Sequence, residues 1–203
     1  MLLEEFIKFA NEVRSKIYFD YDLKKSNWFN IGGKTKVYFK PDNLSDLILF
    51  LKRFGNKEKI HILGAGSNTL ISDKTFDGVI IKLGKNFSNI SILPNDVIVA
   101  GSACLDKKLS DFALENGVGN FEFLACIPGT IGGGLKMNAG CYGSDMSNIL
   151  HEVKIIDRIK GMYSLSNKDL NMSYRKTILS NEAIIVSAVL KYNQEDKDSN
   201  TNI

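Results

Sequence analysis

The sequence predicts an α+β fold, and three observations carry that prediction. Strand-like and helix-like hydrophobic patterns alternate over the first eighty residues, short strand patterns dominate the middle, and further strands return near the end. Two glycine-rich stretches, LGAGSNTLISD over residues 63–73 and FEFLACIPGTIGGGLKMNAGCYG over residues 121–143, interrupt those patterns where the chain has to bend closely around something. At 203 residues the chain is long enough to bury a proper core as one large domain or two small lobes.

The elements follow in order. Apolar residues at Leu2, Leu3, Phe6, Ile7, Ala10, Val13 and Ile17 recur at helical steps and predict an amphipathic helix over residues 2–16. Residues 30–35 read as a turn, and KVYFK as a strand stopped by Pro41. Asp42 or Asn43 can cap a helix that runs to Arg53 and ends at Gly55. KIHIL, VIIKL, ISIL and VIVAGSA are strand candidates, and residues 105–116 return to helical spacing. VKIIDR, MYSLS and EAIIVSAVLKY are the last strands, and NQEDKDSNTNI is a polar tail or the start of a linker.

Composition excludes several classes of function. The net charge of +3 is mildly basic, but the lysines are scattered, so no nucleic-acid partner is expected. Cys104, Cys126 and Cys141 fit neither a disulfide framework nor a zinc site, and with His61 and His151 as the only histidines no metal centre is expected. Glu4 and Glu5 stand where a signal peptide carries basic residues, and no apolar run reaches membrane-spanning length, so a cytoplasmic protein without a membrane partner is expected.

The chemistry concentrates in the two loops. GGKT at residues 32–35 lacks the earlier glycine of a P-loop, because Trp28 stands there. GAGSN fails the dinucleotide fingerprint GxGxxG, because Thr69 occupies the third glycine position. A strand ending in Gly64, Ala65, Gly66, Ser67 and Asn68 can instead aim successive backbone amides into one concavity suited to a pyrophosphate, or be a tight structural turn. In the second stretch Pro128 and Gly129 permit a turn, and Thr130 through Gly134 is thin enough that a ligand or another backbone must approach it. Two such loops in one chain favour a dinucleotide.

IPGTIGGGLKMNAGCYG and LGAGSNTLISD, with WFNIGG before them and LSNKDLNMSYRKTIL after, make the chain resemble the UDP-N-acetylenolpyruvoylglucosamine reductase family across residues 27–190. The resemblance implies the two-lobed FAD-binding module of the vanillyl-alcohol oxidase (PCMH) type, with lobes at residues 1–84 and 85–192 and a tail at 193–203. It assigns FAD to Gly64, Ala65, Gly66, Ser67, Asn68 and Thr69 at the pyrophosphate. It places Ile127, Pro128, Gly129, Thr130, Gly132, Gly133, Asn138, Ala139 and Gly140 along the ribityl and isoalloxazine portions. In the family reaction NADPH reduces FAD, and the flavin passes hydride to the enolpyruvyl group of a UDP-sugar in peptidoglycan precursor synthesis. Tyr174 and Arg175 match the family's Tyr-Arg pair, whose arginine faces the substrate carboxylate; arginine stays charged and grips a carboxylate through two parallel donors.

Other residues in these stretches have plainer readings. Tyr142 reads as a packed aromatic, Lys136 as a solvated charge, His61 as a core or edge histidine and Cys141 as a small buried thiol. The family's proton-donating serine and assisting glutamate lie in a further, C-terminal substrate domain, beyond the motifs matched here. The 203 residues are therefore expected to hold flavin and to be nearly inactive alone, either as part of a reductase or as a non-catalytic FAD-binding module.

Overall fold

The computed structural model describes residues 2–192, so the polar tail expected at residues 193–203 lies outside the described residues. The chain divides into two compact units, one ending at Asn86 and one beginning at Phe87.

In the first unit, helix α1 (Leu2–Glu12) leads into strand β1 (Lys16–Asp22), and β2 (Lys34–Lys40) precedes helix α2 (Leu44–Phe54), β3 (Ile60–Ile62) and β4 (Phe76–Ile81). The sheet order is β1-β2-β4-β3, with β1 antiparallel to β2 and the other pairs parallel. The helix expected over residues 2–16 is shorter than its periodicity suggests. Its last helical bond runs from Val13 N to Phe9 O. The amide and hydroxyl of Ser15 then turn to the Asp46 carboxylate at 3.1 and 2.5 Å, and Ile17, Tyr18 and Phe19 pair with β2 as strand residues.

Asn43 caps α2 by accepting the Asp46 amide at 2.8 Å. That helix buries Leu47, Phe50, Leu51 and Phe54 along one face. Phe50 stacks on Phe39 of β2 with ring centroids 4.4 Å apart and meets Phe9 of α1 edge-on at 5.6 Å. The opposite face of the sheet carries a smaller cluster of Leu23, Tyr38, Leu63 and Ile80. Tyr21 stacks on Tyr38 at 4.2 Å, and Ser26 donates its hydroxyl to the Tyr38 oxygen at 3.2 Å.

The second unit is built on a five-stranded antiparallel sheet of order β10-β9-β11-β6-β5. Its strands are β5 (Ile90–Leu93), β6 (Val97–Gly101), β9 (Leu150–Asp157), β10 (Gly161–Ser166) and β11 (Ile184–Lys191). Helices α3 (Asp106–Glu115), α4 (Ile131–Met137) and α5 (Met146–Ile149) share its core, in which Leu109, Ile131, Leu135 and Ile149 meet Ile98, Val153, Ile155 and Leu190. A two-stranded hairpin, β7 (Gly140–Cys141) and β8 (Ser144–Asp145), follows α4. Tyr142 and Gly143 at its tip both have positive φ, 51° and 80°, the backbone of a two-residue hairpin turn.

The thin loop expected at residues 130–134 is the start of a helix. Thr130 caps α4 through a bond from the Gly133 amide to its hydroxyl, and the triple glycine continues as helix because two of its members are pressed against neighbours. A Cβ on Gly132 would lie 2.9 Å from Ser102 Cβ, and one on Gly134 would lie 2.4 Å from the Met146 methyl. Gly133 alone of the three looks outward, meeting nothing closer than the Thr130 hydroxyl at 3.3 Å. Close approach outweighs the low helix propensity of glycine.

The aromatic cluster gives a direct stability test. Phe50→Ala is expected to lower the unfolding free energy by about 3–5 kcal/mol, while Leu49→Ala on the exposed face costs under about 1 kcal/mol. Equal midpoint shifts for the two variants in urea denaturation would contradict the cluster's central place.

Candidate functional site

The first glycine loop leaves β3 directly: Leu63 still donates to Ile81 O at 2.9 Å, and Gly64 begins the turn. Gly66 is buried with φ +74°, and a Cβ there would sit 2.4 Å from Ser26 O and 2.8 Å from Asn27 Cα. Trp28 completes the contact by donating its amide to Gly66 O at 3.1 Å. Two separate sequence motifs, WFNIGG and GAGSN, are thus packed into one another. Asn27 holds the first of them in shape, donating from its side-chain nitrogen to Leu23 O and Ile31 O, both at 2.8 Å.

Among the described residues, the amides of Gly64, Ala65, Gly66 and Ser67 donate to no carbonyl or side chain. The buried Asn27 Oδ1 beside them also has no partner. Successive backbone amides without internal partners at a strand end can offer their hydrogens to an anion such as a phosphate group. Gly64, Ala65, Gly66 and Ser67, expected from sequence at a pyrophosphate, are the residues that carry these amides. Asn68 and Thr69 complete the turn with half-buried to exposed side chains.

In the second unit, residues 127–130 fold onto the start of α3. Asp106 donates its amide to Gly129 O at 3.2 Å, and Ile131 donates to Cys104 O at 2.9 Å, closing a bridge between Leu105 and Thr130. Pro128 is exposed, Ile127 half-buried, and Gly129 lies so close to the Asp106 carboxylate that a Cβ would stand 2.4 Å from Oδ2. The first amides of α4 are already used: Ile131 on Cys104, Gly132 on Ser102 O at 2.8 Å and Gly133 on Thr130. The surface left open here is the exposed edge of Pro128 and Gly133.

Asp106 was not singled out by sequence reasoning, because an acid in the first turn of a helix is ordinary. In the fold it has no exposed surface, neither carboxylate oxygen has a partner, and burial pushes its pKa up to about 7. The hydroxyl of Ser102, facing Gly132, is likewise buried and unpartnered.

The C-terminal end of α4 builds the other part of the site. Asn138 takes a left-handed backbone at φ 47° and is buried. Its side-chain nitrogen donates to Asp145 Oδ2 and to Ser173 O, both at 3.0 Å, and its oxygen accepts the Ser147 amide at 3.0 Å. The side chain is therefore fully occupied inside the protein and has no hydrogen left for a cofactor. Ala139 is buried, while Gly140 pairs with Asp145 in the hairpin.

The carbonyl of Ser173 belongs to the turn that carries Tyr174 and Arg175. Ser173 and Lys176 exchange backbone bonds at 2.9 and 3.0 Å, and Arg175 sits at φ 55°, a left-handed conformation that costs a non-glycine residue roughly 1–3 kcal/mol. Thr177 fixes the same segment by donating to Leu135 O at 2.6 Å, and Lys136 donates to Leu179 O and Ser180 O at 2.9 and 3.2 Å. Lys136 is exposed, as expected of a solvated charge, and also serves as a strut, with partial burial lowering its pKa. Arg175 donates to Gly140 O at 2.9 Å and lies over the Tyr174 ring, 5.6 Å from its centroid. Asn138, Gly140, Cys141, Asp145, Tyr174 and Arg175 line a cavity of about 300 Å³. Tyr142, expected as a packed aromatic, stands 87% exposed at the hairpin tip, because its place in the two-residue turn points it outward.

The family model for the FAD binding domain matches residues 35–163, more than half of the chain, and the chain belongs to that family. Its fold is the α+β FAD-binding module expected from the motifs.

Within that family, it is 67% identical over 198 residues to the UDP-N-acetylenolpyruvoylglucosamine reductase of Pelagibacter ubique (strain HTCC1062), a match covering 98% of this chain and 66% of that protein. It is 43% identical over 180 residues to the protein of the same name from Rickettsia massiliae (strain Mtu5), covering 89% of this chain and 61% of that one. The chain thus spans less than two thirds of the length of these relatives. A crystal structure of UDP-N-acetylenolpyruvylglucosamine reductase from Thermus caldophilus shares the fold with a TM-score of 0.76 at 24% identity, over 92% of this chain and 66% of that one.

The buried carboxyl gives a signed prediction. The raised pKa of Asp106 means that the folded chain binds more protons than the unfolded one between pH 3.8 and about 7, so stability falls as pH rises through that window. Asp106→Asn is expected to flatten the slope of unfolding free energy against pH between 4 and 7, and to raise the melting temperature at pH 8 by several degrees. An unchanged slope would show that the carboxyl is ionised and paired in solution.

Proposed function

We propose that the chain is the FAD-holding portion of a reductase that converts the enolpyruvyl ether of UDP-N-acetylglucosamine to UDP-N-acetylmuramate with NADPH, in cytoplasmic peptidoglycan precursor synthesis. The observation that carries the reading is Arg175, anchored on Gly140 O at 2.9 Å beside a cavity on the Asn138 and Gly140 motif. The relatives' names support it, although they belong to chains about half as long again.

In this reading the amides of Gly64, Ala65, Gly66 and Ser67 are the first unit's donors for the cofactor's diphosphate, and Pro128, Gly133 and Gly140 are the residues that the second unit would offer to the cofactor. Bound FAD supplies the hydride chemistry. The chain's own contribution is positional and electrostatic. One guanidinium nitrogen of Arg175 holds Gly140, and the remaining donors stay available for a substrate carboxylate. That carboxylate gains charge as the neighbouring double bond is reduced, so a cation fixed beforehand lowers the barrier without having to reorganise. Asn138, by gripping Ser173 O, sets where that cation stands.

The proton donor is assigned to none of these 203 residues. The 203-residue polypeptide is proposed to bind FAD.

Two measurements test the reading. The purified chain is expected to take up FAD with the absorbance bands of a bound flavin, and a colourless protein that ignores added FAD would contradict it. In a polypeptide of the relatives' length, Arg175→Ala should spare FAD binding and slow reoxidation of the reduced flavin by the enolpyruvyl substrate by about 10²-fold or more. Unchanged reoxidation would remove Arg175 from the mechanism, and bound flavin that no enolpyruvyl substrate reoxidises would favour a non-catalytic FAD module.

A further inference from the structure

Three lysines occupy one row across the sheet of the first unit. Lys16 at the start of β1 is directly opposite Lys40 at the end of β2. The parallel ladder pairs Phe39 with Ile81, and Lys82 continues it by donating its amide to Phe39 O at 3.0 Å, which places Lys82 beside Lys40. Strand alternation puts the three side chains on the face of Tyr38 and Ile80, away from the phenylalanine cluster. Neighbouring strands are about 4.8 Å apart, so each ammonium has a like charge as its nearest cross-strand neighbour. Like charges set opposite one another destabilise a sheet.

The same sheet shows how such charges are normally neutralised. Lys34 pairs with Asp20 at 2.5 Å and Lys36 with Asp77 at 2.6 Å, both on β2. Among the described residues, Lys16, Lys40 and Lys82 make no ion pair or side-chain hydrogen bond. The nearby carboxylates do not neutralise the row: Asp46 accepts from Ser15, and Asp42 forms no ion pair with any of the three lysines. Lys82 is half-buried, and desolvation first, then the charge of Lys40, lowers its pKa, which marks two cations close together without a counter-charge.

The row ends at the glycine loop. Leu63 donates to Ile81 O and so stands beside Lys82, and the unpartnered amides begin at the next residue. We propose that Lys82 and Lys40 form a phosphoryl-anion subsite continuous with the amides of Gly64, Ala65, Gly66 and Ser67. Lys16, about three strand spacings or 14 Å from the loop, adds longer-range attraction rather than contact. The repulsion within the row is relieved when the anion binds, so ligand affinity and sheet stability are coupled. The inference rests on the FAD reading only for the source of the phosphoryl group. That source is the diphosphate of the dinucleotide or a separate phosphate compound.

The test uses the 203-residue chain with Lys82→Met and Lys40→Met, which keep the aliphatic stems, and with inorganic pyrophosphate, FAD and riboflavin as probes. Without ligand, both variants are expected to melt at higher temperature than the parent, because a like charge has gone. With pyrophosphate, the parent is expected to gain thermal stability, and the variants to lose most of that gain. FAD affinity should drop about ten-fold in each variant and become less salt-dependent, with riboflavin affinity unchanged. Loss of the pyrophosphate effect with FAD affinity intact would assign the subsite to a separate phosphate compound. A chain that ignores FAD yet answers to pyrophosphate through these lysines would sink the flavin reading and leave the subsite standing. Variants that match the parent in both melting temperature and pyrophosphate response would overturn the proposal.

Discussion

The packing of one glycine against one backbone sets up the first half of this protein. Gly66 accepts the Ser26 and Asn27 backbone where any other residue would carry a Cβ, and it does so at a φ that other residues rarely adopt. That contact fixes the Trp28 loop and stands among amides without internal partners, while the parallel strand pairing sets the start of the loop beside Lys82. A local steric constraint thereby produces a concentration of hydrogen-bond donors and positive charge that the protein itself does not satisfy.

The second unit solves a different problem, the placement of a cation. Arg175 is held in a strained backbone by a chain of ordinary hydrogen bonds: Asn138 to Ser173, Thr177 to Leu135 and Lys136 to the carbonyls of Leu179 and Ser180. Each bond is worth roughly 1 kcal/mol, and together they outweigh the cost of the left-handed turn. Rigid placement is what the role proposed for Arg175, stabilising a developing charge, would require. The buried Asp106 runs the other way, as a destabilising group retained beneath the loop of Pro128 and Gly129.

Much of this was legible in the residues. The strand KVYFK, the helix with Asp42 or Asn43 as its cap and the two glycine motifs were readable because alternation, capping and turn chemistry are local. The start of β1 was missed because Val13 and Ile17 happen to fall on the helical stripe, while pairing with β2 is a long-range effect. Helix α4 was hidden behind its three glycines, whose close neighbours Ser102 and Met146 lie thirty residues before and twelve after in sequence. For the same reason Asn138 read as a ligand contact although its side chain is spent on Asp145, Ser147 and Ser173. Asp106 and the row of Lys16, Lys40 and Lys82 carry no sequence signal, since burial and cross-strand register decide their character.

The most direct test of the account is to follow the backbone amide resonances of Gly64, Ala65, Gly66 and Ser67 during titration with FAD and with riboflavin. The account predicts large shifts and slowed hydrogen exchange at these four amides with FAD, and little change with riboflavin, which lacks the diphosphate. Bound FAD that leaves the four amides unmoved would contradict it.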